Sequence, residues 1–250
     1  MTHYDIDKDT TLSKTALVTG ASQGIGLAIA RRLAAEGWHI VNLDMNKPAE
    51  DAPGQWFEVD LSDATALQVV LSELLSEHTI DALVNNAGIA LASTLEDTSD
   101  EDFDRTVAIN LRAPMICARA LLPGMKERNF GRIVNISSRA HLGKTQRTAY
   151  AASKGGVLSM AKVWALEYAA YGVTCNIIAP GPIRTELFER ANPRDMPRTQ
   201  EIIGMVPVGR LGEPEDIANS VAFFVDERSG FITGQTLYVC GGITLARGGN

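Results

Sequence analysis

The chain has 250 residues, 45% of them apolar and 21% charged, a composition that builds a real core in one large domain or two small ones. Its formal net charge of −7, with no basic stripe to offset it, speaks against generic affinity for nucleic acid or anionic membranes. Cys117, Cys175 and Cys240 are far apart and form no CxxC pair, which points to a reducing compartment and to no metal site.

The opening stretch, MTHYDIDKDTTLSK, is polar and acidic and lacks the apolar run of a signal peptide. It reads as a flexible leader over residues 1–12 of a cytoplasmic protein. No apolar run approaches the roughly 20 residues that span a bilayer. From there, short apolar runs alternate with stretches of helical period. The expected strands are 15–20, 39–44, 56–61, 81–88, 131–137, 173–181 and 235–242, most of them too apolar for simple in/out alternation. That pattern fits strands covered on both faces. The expected helices are 24–36, 64–78, 99–127, 150–171 and 214–226, with Pro114 bending or breaking the third. Alternation from end to end implies βαβ units: a single-domain, doubly wound α/β Rossmann-type sheet over residues 13–250. The irregular segment 182–212 reads as a substrate lid.

The first strand runs into TGASQGIG, with Gly20, Gly24 and Gly26 ahead of an Ala-rich helix. Glycines let a backbone approach a pyrophosphate, and a helix N-terminus offers N–H donors and a positive dipole end. Ser22, Gln23 and Ile25 complete this candidate cofactor loop. Asp44 ends the second strand, where a carboxylate accepts hydrogen bonds from ribose hydroxyls and repels a 2′-phosphate. With neutral Gln23 in the loop and Met45 after the aspartate, the charges favour NAD over NADP.

Tyr150 and Lys154 stand four apart in YAASK, on one face of a helix. A phenol of pKa about 10 becomes a general base only if a positive neighbour favours its anion, and an ammonium one turn away is such a neighbour.

TGASQGIG, NNAG (85–88), Asn110 in VAIN, NISS (135–138), YAASK and PGPIRT (180–185) occur in this order, each at an expected strand end or helix face. Together they resemble the short-chain dehydrogenase/reductase family over nearly the whole chain. The resemblance implies a seven-stranded sheet, a nicotinamide cofactor, a small alcohol or ketone substrate and a homotetramer. It also implies a catalytic set of Asn110, a serine, Tyr150 and Lys154. Lys154 would bind the nicotinamide ribose as well as act on Tyr150, and Asn110 would hold a water in a proton relay. Counting back thirteen residues from the tyrosine gives Ser137, whereas the strand end gives Ser138. Loops absorb deletions more readily than strand registers, so Ser138 is the expected residue. Asp60 and Leu61 would border the adenine, and Asn86, Ala87 and Gly88 the adenosine. Pro180, Gly181, Ile183 and Thr185 would hold the nicotinamide, although residue type alone fits Asp60 and Thr185 equally as helix caps.

The 139–148 loop and the lid are the expected substrate-selecting segments. His141 reads as a solvated loop residue, with a hydrogen bond to substrate as the alternative, and Arg184, Arg190, Arg194 and Arg198 as an exposed charge run, with attraction of an anionic or polyhydroxylated substrate as theirs. Leu187 and Phe188 fit a substrate cover or the lid's own core. Two other functions fit the fold: a non-catalytic dinucleotide sensor or scaffold, and an epimerase or dehydratase. The Tyr150/Lys154 pair argues against the first, and the absence of a distinct C-terminal substrate domain against the second.

Overall fold

The computed structural model describes residues 13–193 and 196–245; the 1–12 leader, Arg194, Asp195 and residues 246–250 lie outside the described residues, as does the Leu187 side chain. Seven parallel strands form one sheet: β1 (Thr15–Thr19), β2 (His39–Asp44), β3 (Gln55–Glu58), β4 (Ala82–Asn85), β5 (Gly131–Ile136), β6 (Val173–Pro180) and β7 (Thr236–Val239). Their spatial order is β3-β2-β1-β4-β5-β6-β7, so the direction of winding reverses between β1 and β4. Ligands of open α/β sheets bind at such a switch point, outside the carboxyl ends of the strands.

Side chains alternate between two apolar layers. Leu17, Leu43, Leu83 and Ile133 face α2 (Ala64–Glu77), α4 (Ala113–Glu127) and α5 (Thr148–Tyr168). Ala16, Val18, Val84 and Val134 face α1 (Gly24–Ala35) and α8 (Pro214–Val225). Both faces are covered, and the strand runs are apolar for that reason.

The strands stop short of the expected spans at their C-terminal ends. Gly20, residues 86–88, Ser137, Gly181 and residues 240–242 lie beyond the last paired residues. These overruns are the loops of the carboxyl edge. The expected 99–127 helix resolves into α3 (Asp100–Val107), a π-helical turn (Ala108–Arg112) and α4. The Ala113 N–H bonds the Ala108 carbonyl five residues back, and Pro114 follows within the first turn of α4, with no N–H to offer the Asn110 carbonyl. Segment 182–212 carries two short helices, α6 (Glu186–Ala191) and α7 (Pro197–Gly204).

Candidate active site

The glycine loop leaves β1 with Gly20 and Gly24 at positive φ, +69° and +55°. A Cβ on Gly26 would stand 2.0 Å from the Gly20 carbonyl oxygen, so only glycine lets the first turn of α1 close on the loop. Gln23 caps that helix without a side-chain bond and its first turn holds no acid, whereas Asp63 and Ser99 cap α2 and α3. The N–H groups opening α1 are therefore left for an anion, and the residues present fit a dinucleotide pyrophosphate.

Neighbouring strands hold the loop. Asn42 Oδ1 accepts from the Ala21 N–H at 3.0 Å, and Asp44 Oδ2 from the Ser22 N–H at 3.1 Å. Asp44 Oδ1 accepts from the Asn46 N–H at 2.9 Å, and the residue is only 7% exposed. Its carboxylate thus stands at the end of β2, facing the loop. After β4, the N–H groups of Asn86 and Ala87 both bond Thr19 Oγ1, and the Asn86 amide donates to the Thr19 and Gly20 carbonyls. The Asn86 side chain is spent on fixing the loop. Thr19 and Asn42 were missed by sequence reasoning; the available signal was a polar residue inside an otherwise apolar strand.

Gly88 lies in the loop after β4. A Cβ there would stand 3.1 Å from Asn110 Oδ1 and 3.2 Å from Lys154 Nζ. The loop after β4 crosses from the glycine loop to the Tyr150/Lys154 centre. Asn110 secures the crossing: its Oδ1 accepts from the Ile89 N–H at 2.9 Å, and its Nδ2 donates to the Ile89 carbonyl and to Ser153 Oγ. Both ends of the Asn110 amide are thus engaged, and Pro114 withholds an α-helical donor from the Asn110 carbonyl.

The two serines at the end of β5 differ sharply. Ser137 is 3% exposed and donates its hydroxyl to the Lys154 carbonyl at 2.8 Å, turned away from the cleft. Ser138 accepts from the Ala140 N–H at 3.1 Å, and hydrogen bonding by its side chain bears on the Tyr150 phenol. Lys154 Nζ donates to the Ile136 carbonyl at 2.8 Å and stands 5.9 Å from the centre of the Tyr150 ring. Burial pulls the lysine down to about 8. Burial also raises the Tyr150 pKa, outweighing the downward pull of Ser138 and the Arg147 charge. The protein by itself thus moves the phenol opposite to the expected direction, because desolvation opposes its anion. Gly156 serves packing: a Cβ there would come 2.9 Å from Leu111 Cδ1 in the π turn.

At the far side of the cleft, the Gly181 N–H bonds the Val239 carbonyl, and Ile183 bridges Gly212. Thr185 Oγ1 accepts from the Phe188 N–H, so the threonine does cap α6, while its hydroxyl hydrogen faces no partner in that bond. A Cβ on Gly24 would lie 3.6 Å from Thr185 Cγ2, so the glycine loop and the start of segment 182–212 face each other closely. Asp60 is exposed and accepts from the Ser62 N–H and hydroxyl, which lower its pKa; the cap of α2 is Asp63. Leu61 is buried beside it. His141 is held rather than solvated: Nδ1 lies 2.6 Å from the Ser138 carbonyl and Nε2 2.8 Å from the Tyr238 hydroxyl. Among the described residues no group of His, Cys, Asp and Glu is placed to hold a metal, and no helix is long and apolar enough to cross a membrane.

A family model described as enoyl-(acyl carrier protein) reductase matches residues 20–244. The chain is 37% identical to the (2S)-[(R)-hydroxy(phenyl)methyl]succinyl-CoA dehydrogenase subunit BbsD of Thauera aromatica, over 94% of this chain and 98% of that one. It is 38% identical to the 3-oxoacyl-[acyl-carrier-protein] reductase FabG of Rickettsia bellii, over 93% and 97%. A crystal structure titled as a putative NAD(P) dependent gluconate 5-dehydrogenase from Beutenbergia cavernae, with bound NADP at low occupancy, superposes with a TM-score of 0.88 at 32% identity, covering 94% of this chain and 98% of that one. The fold and site define a Rossmann-type oxidoreductase built to hold a nicotinamide dinucleotide. The chain belongs to the short-chain dehydrogenase/reductase family.

Proposed function

We propose that this chain is an NAD-dependent oxidoreductase that interconverts a secondary alcohol and a ketone. The observation that carries the reading is the convergence of Ser138, Tyr150, Lys154 and the Asn110 carbonyl at the carboxyl edge, beside a glycine loop backed by Asp44. In oxidation, the hydroxyl proton of the substrate passes to the Tyr150 oxygen. An oxidised nicotinamide held beside Tyr150 and Lys154 would supply the hydride acceptor, the two-electron oxidant that the conversion of alcohol to ketone needs. The Ser138 hydroxyl stabilises the substrate oxygen. The Lys154 ammonium and the positive charge of the oxidised cofactor offset the desolvation that raises Tyr150. The proton leaves through Lys154 and a water on the Asn110 carbonyl.

Asp44 supports NAD, since its carboxylate would meet a 2′-phosphate with like charge. Gly20, Ser22, Gln23, Gly24, Ile25 and Gly26 hold the pyrophosphate side, with Asp60, Leu61, Asn86 and Ala87 toward the adenosine. Gly88, Pro180, Gly181, Ile183 and Thr185 bound the nicotinamide end, and segment 182–212 is the lid. A homotetramer in the cytoplasm completes the reading. It is supported by two separate apolar faces: Met115, Val163 and Leu166 on α4 and α5, and Phe223, Phe231 and Leu237 near α8 and β7.

The test is a dehydrogenase screen with NAD against sugars, sugar acids, cyclic alcohols, dihydrodiols and hydroxysteroids, following NADH absorbance. At least one class is expected to turn over, with near-total loss in Tyr150→Phe. Undiminished turnover in that variant ends the mechanism.

A further inference from the structure

Ser138 lies just beyond the sheet. The Ser137 N–H bonds the Ile178 carbonyl at 2.8 Å, one residue past the paired span of β5, and Ser138 follows as the N-cap of a 3-10 turn (Arg139–Leu142). Its polar groups are tied within that turn. The hydroxyl oxygen accepts from the Ala140 N–H at 3.1 Å. The carbonyl accepts twice from His141, from the backbone N–H at 3.2 Å and from ring Nδ1 at 2.6 Å.

The turn is anchored from a strand that β5 does not touch. His141 Nε2 lies 2.8 Å from the Tyr238 hydroxyl, and the two rings stand 5.7 Å apart with 34° between their planes. Tyr238 belongs to β7, and β6 separates β7 from β5, so this bond reaches past the end of β6. Val239 packs in the layer of α1 and α8, so alternation turns Tyr238 to the opposite face of the sheet, where α5 lies. There Tyr238 packs on Val206, Cys240 and Ile243. His141 touches α5 itself: a Cβ on Gly155, the residue after Lys154, would stand 3.9 Å from the His141 Cβ. The Val239 carbonyl accepts from the Gly181 N–H at 2.9 Å. One strand thus anchors both the Ser138 turn and the segment after β6.

The partners assign the ring protons. A carbonyl only accepts, so Nδ1 of His141 carries the hydrogen; the neutral ring then presents Nε2 as an acceptor, and the Tyr238 hydroxyl donates to it. Both ring nitrogens are committed, and one of them is committed to Ser138.

Resting on the oxidoreductase reading, we propose that His141 and Tyr238 are positioning residues for that reaction. The chain from Tyr238 hydroxyl through imidazole to the Ser138 carbonyl holds the turn after β5, so that the Ser138 hydroxyl keeps its aim at the substrate oxygen beside Tyr150.

Kinetics of four variants test this. Tyr238→Phe removes one hydroxyl and keeps the ring packing. His141→Asn keeps a donor near the Nδ1 position and falls short of Tyr238. Each is expected to lower kcat about fivefold with KM within about twofold, and the double variant no further than either, because both break one bond. His141→Leu loses both bonds and is expected to lower kcat further, so that His141→Asn is a partial rescue. The pH profile is expected to move as well. Ser138 at the end of β5, with Arg147 and Lys154 at α5, bears on the Tyr150 phenol, and hydrogen bonding by Ser138 lowers its pKa. A loosened Ser138 therefore moves the fall of ketone-reduction kcat/KM to higher pH in Tyr238→Phe. A raised KM in His141→Asn with Tyr238→Phe silent makes His141 a substrate ligand and overturns the proposal. Losses that multiply in the double variant, or an unmoved pH profile, overturn it too. Should His141→Leu fail to fold, the other three variants decide.

A readout without turnover separates this proposal from the reading beneath it. Nitrogen-15 spectra of the imidazoles, with His141 assigned among the four histidines by its loss in His141→Asn, are expected to show the Nδ1–H tautomer while the ring is neutral. Turnover of an alcohol with the Nε2–H tautomer overturns the positioning role alone. The Nδ1–H tautomer without turnover of any alcohol overturns the oxidoreductase reading instead.

Discussion

Ser137 donates its hydroxyl to the carbonyl of Lys154 across 2.8 Å, tying the end of β5 to the helix that carries Tyr150. The bond commits Ser137 to the interior and leaves Ser138, one residue on and facing the other way, beside the phenol. Ser138→Ala is therefore expected to lower kcat about a hundredfold, as loss of a donor to a developing oxyanion does. Ser137→Ala is expected to leave most of kcat and to cost about 1 kcal/mol in stability. Steady-state rates and urea melts of the two variants read this out, and the reverse order would move the site by one residue.

Lys154 gives a stability prediction with a definite sign. Its folded pKa is about 8, below the ordinary value of 10.5, so between those values the unfolded chain holds more protons than the folded one. Stability contributed through this group therefore rises as pH rises through that window. Lys154→Met is expected to melt higher than wild type at pH 7 and to lose its advantage above pH 10.5. Denaturant titrations across that range check it, alongside turnover that is strongly lowered but still measurable.

Tyr150 gives a pH profile. Ketone reduction needs the phenol protonated, so its kcat/KM is expected to fall with rising pH as the Tyr150/Lys154 pair sheds a proton. In Lys154→Met, burial acts on the phenol without an ammonium to oppose it, and the fall is expected to shift to higher pH. A profile unmoved by the substitution would detach the lysine from the chemistry.

Asp44 carries the proposed preference for NAD. Asp44→Ala removes two backbone hydrogen bonds, to Ser22 and Asn46, together with the repelling charge. NAD affinity is expected to weaken about tenfold while NADP gains relative to it, as measured by NADH and NADPH fluorescence titration. A wild-type preference for NADP would refute the argument from charge.

Gly26 is sterically committed. A Cβ 2.0 Å from the Gly20 oxygen forces α1 and the loop apart, so Gly26→Ala is expected to cost roughly 1–3 kcal/mol and to abolish dinucleotide binding. Gly37, with φ +88° and nothing within 4 Å of where a Cβ would stand, is the control; its cost comes from backbone conformation alone.

Much of the architecture was legible because it depends on local periodicity. Apolar runs read as strands buried on both faces, glycine after β1 read as the cofactor loop, and the Tyr150/Lys154 spacing read as one helical face. Those signals sit within a few residues of one another. Where each strand stops was not legible, because an extended loop and a paired strand share the same residue types and differ only in whether a neighbour supplies hydrogen bonds. The commitment of Ser137 to the interior depends on a carbonyl seventeen positions away in the chain. The engagement of Asn110 with Ile89 and Ser153, the hold of Thr19 on the loop after β4, and the direction in which burial moves Tyr150 and Lys154 have the same origin. Hydrogen-bond partners and desolvation are properties of neighbours in space, and those neighbours exist only once the sheet has closed around the site.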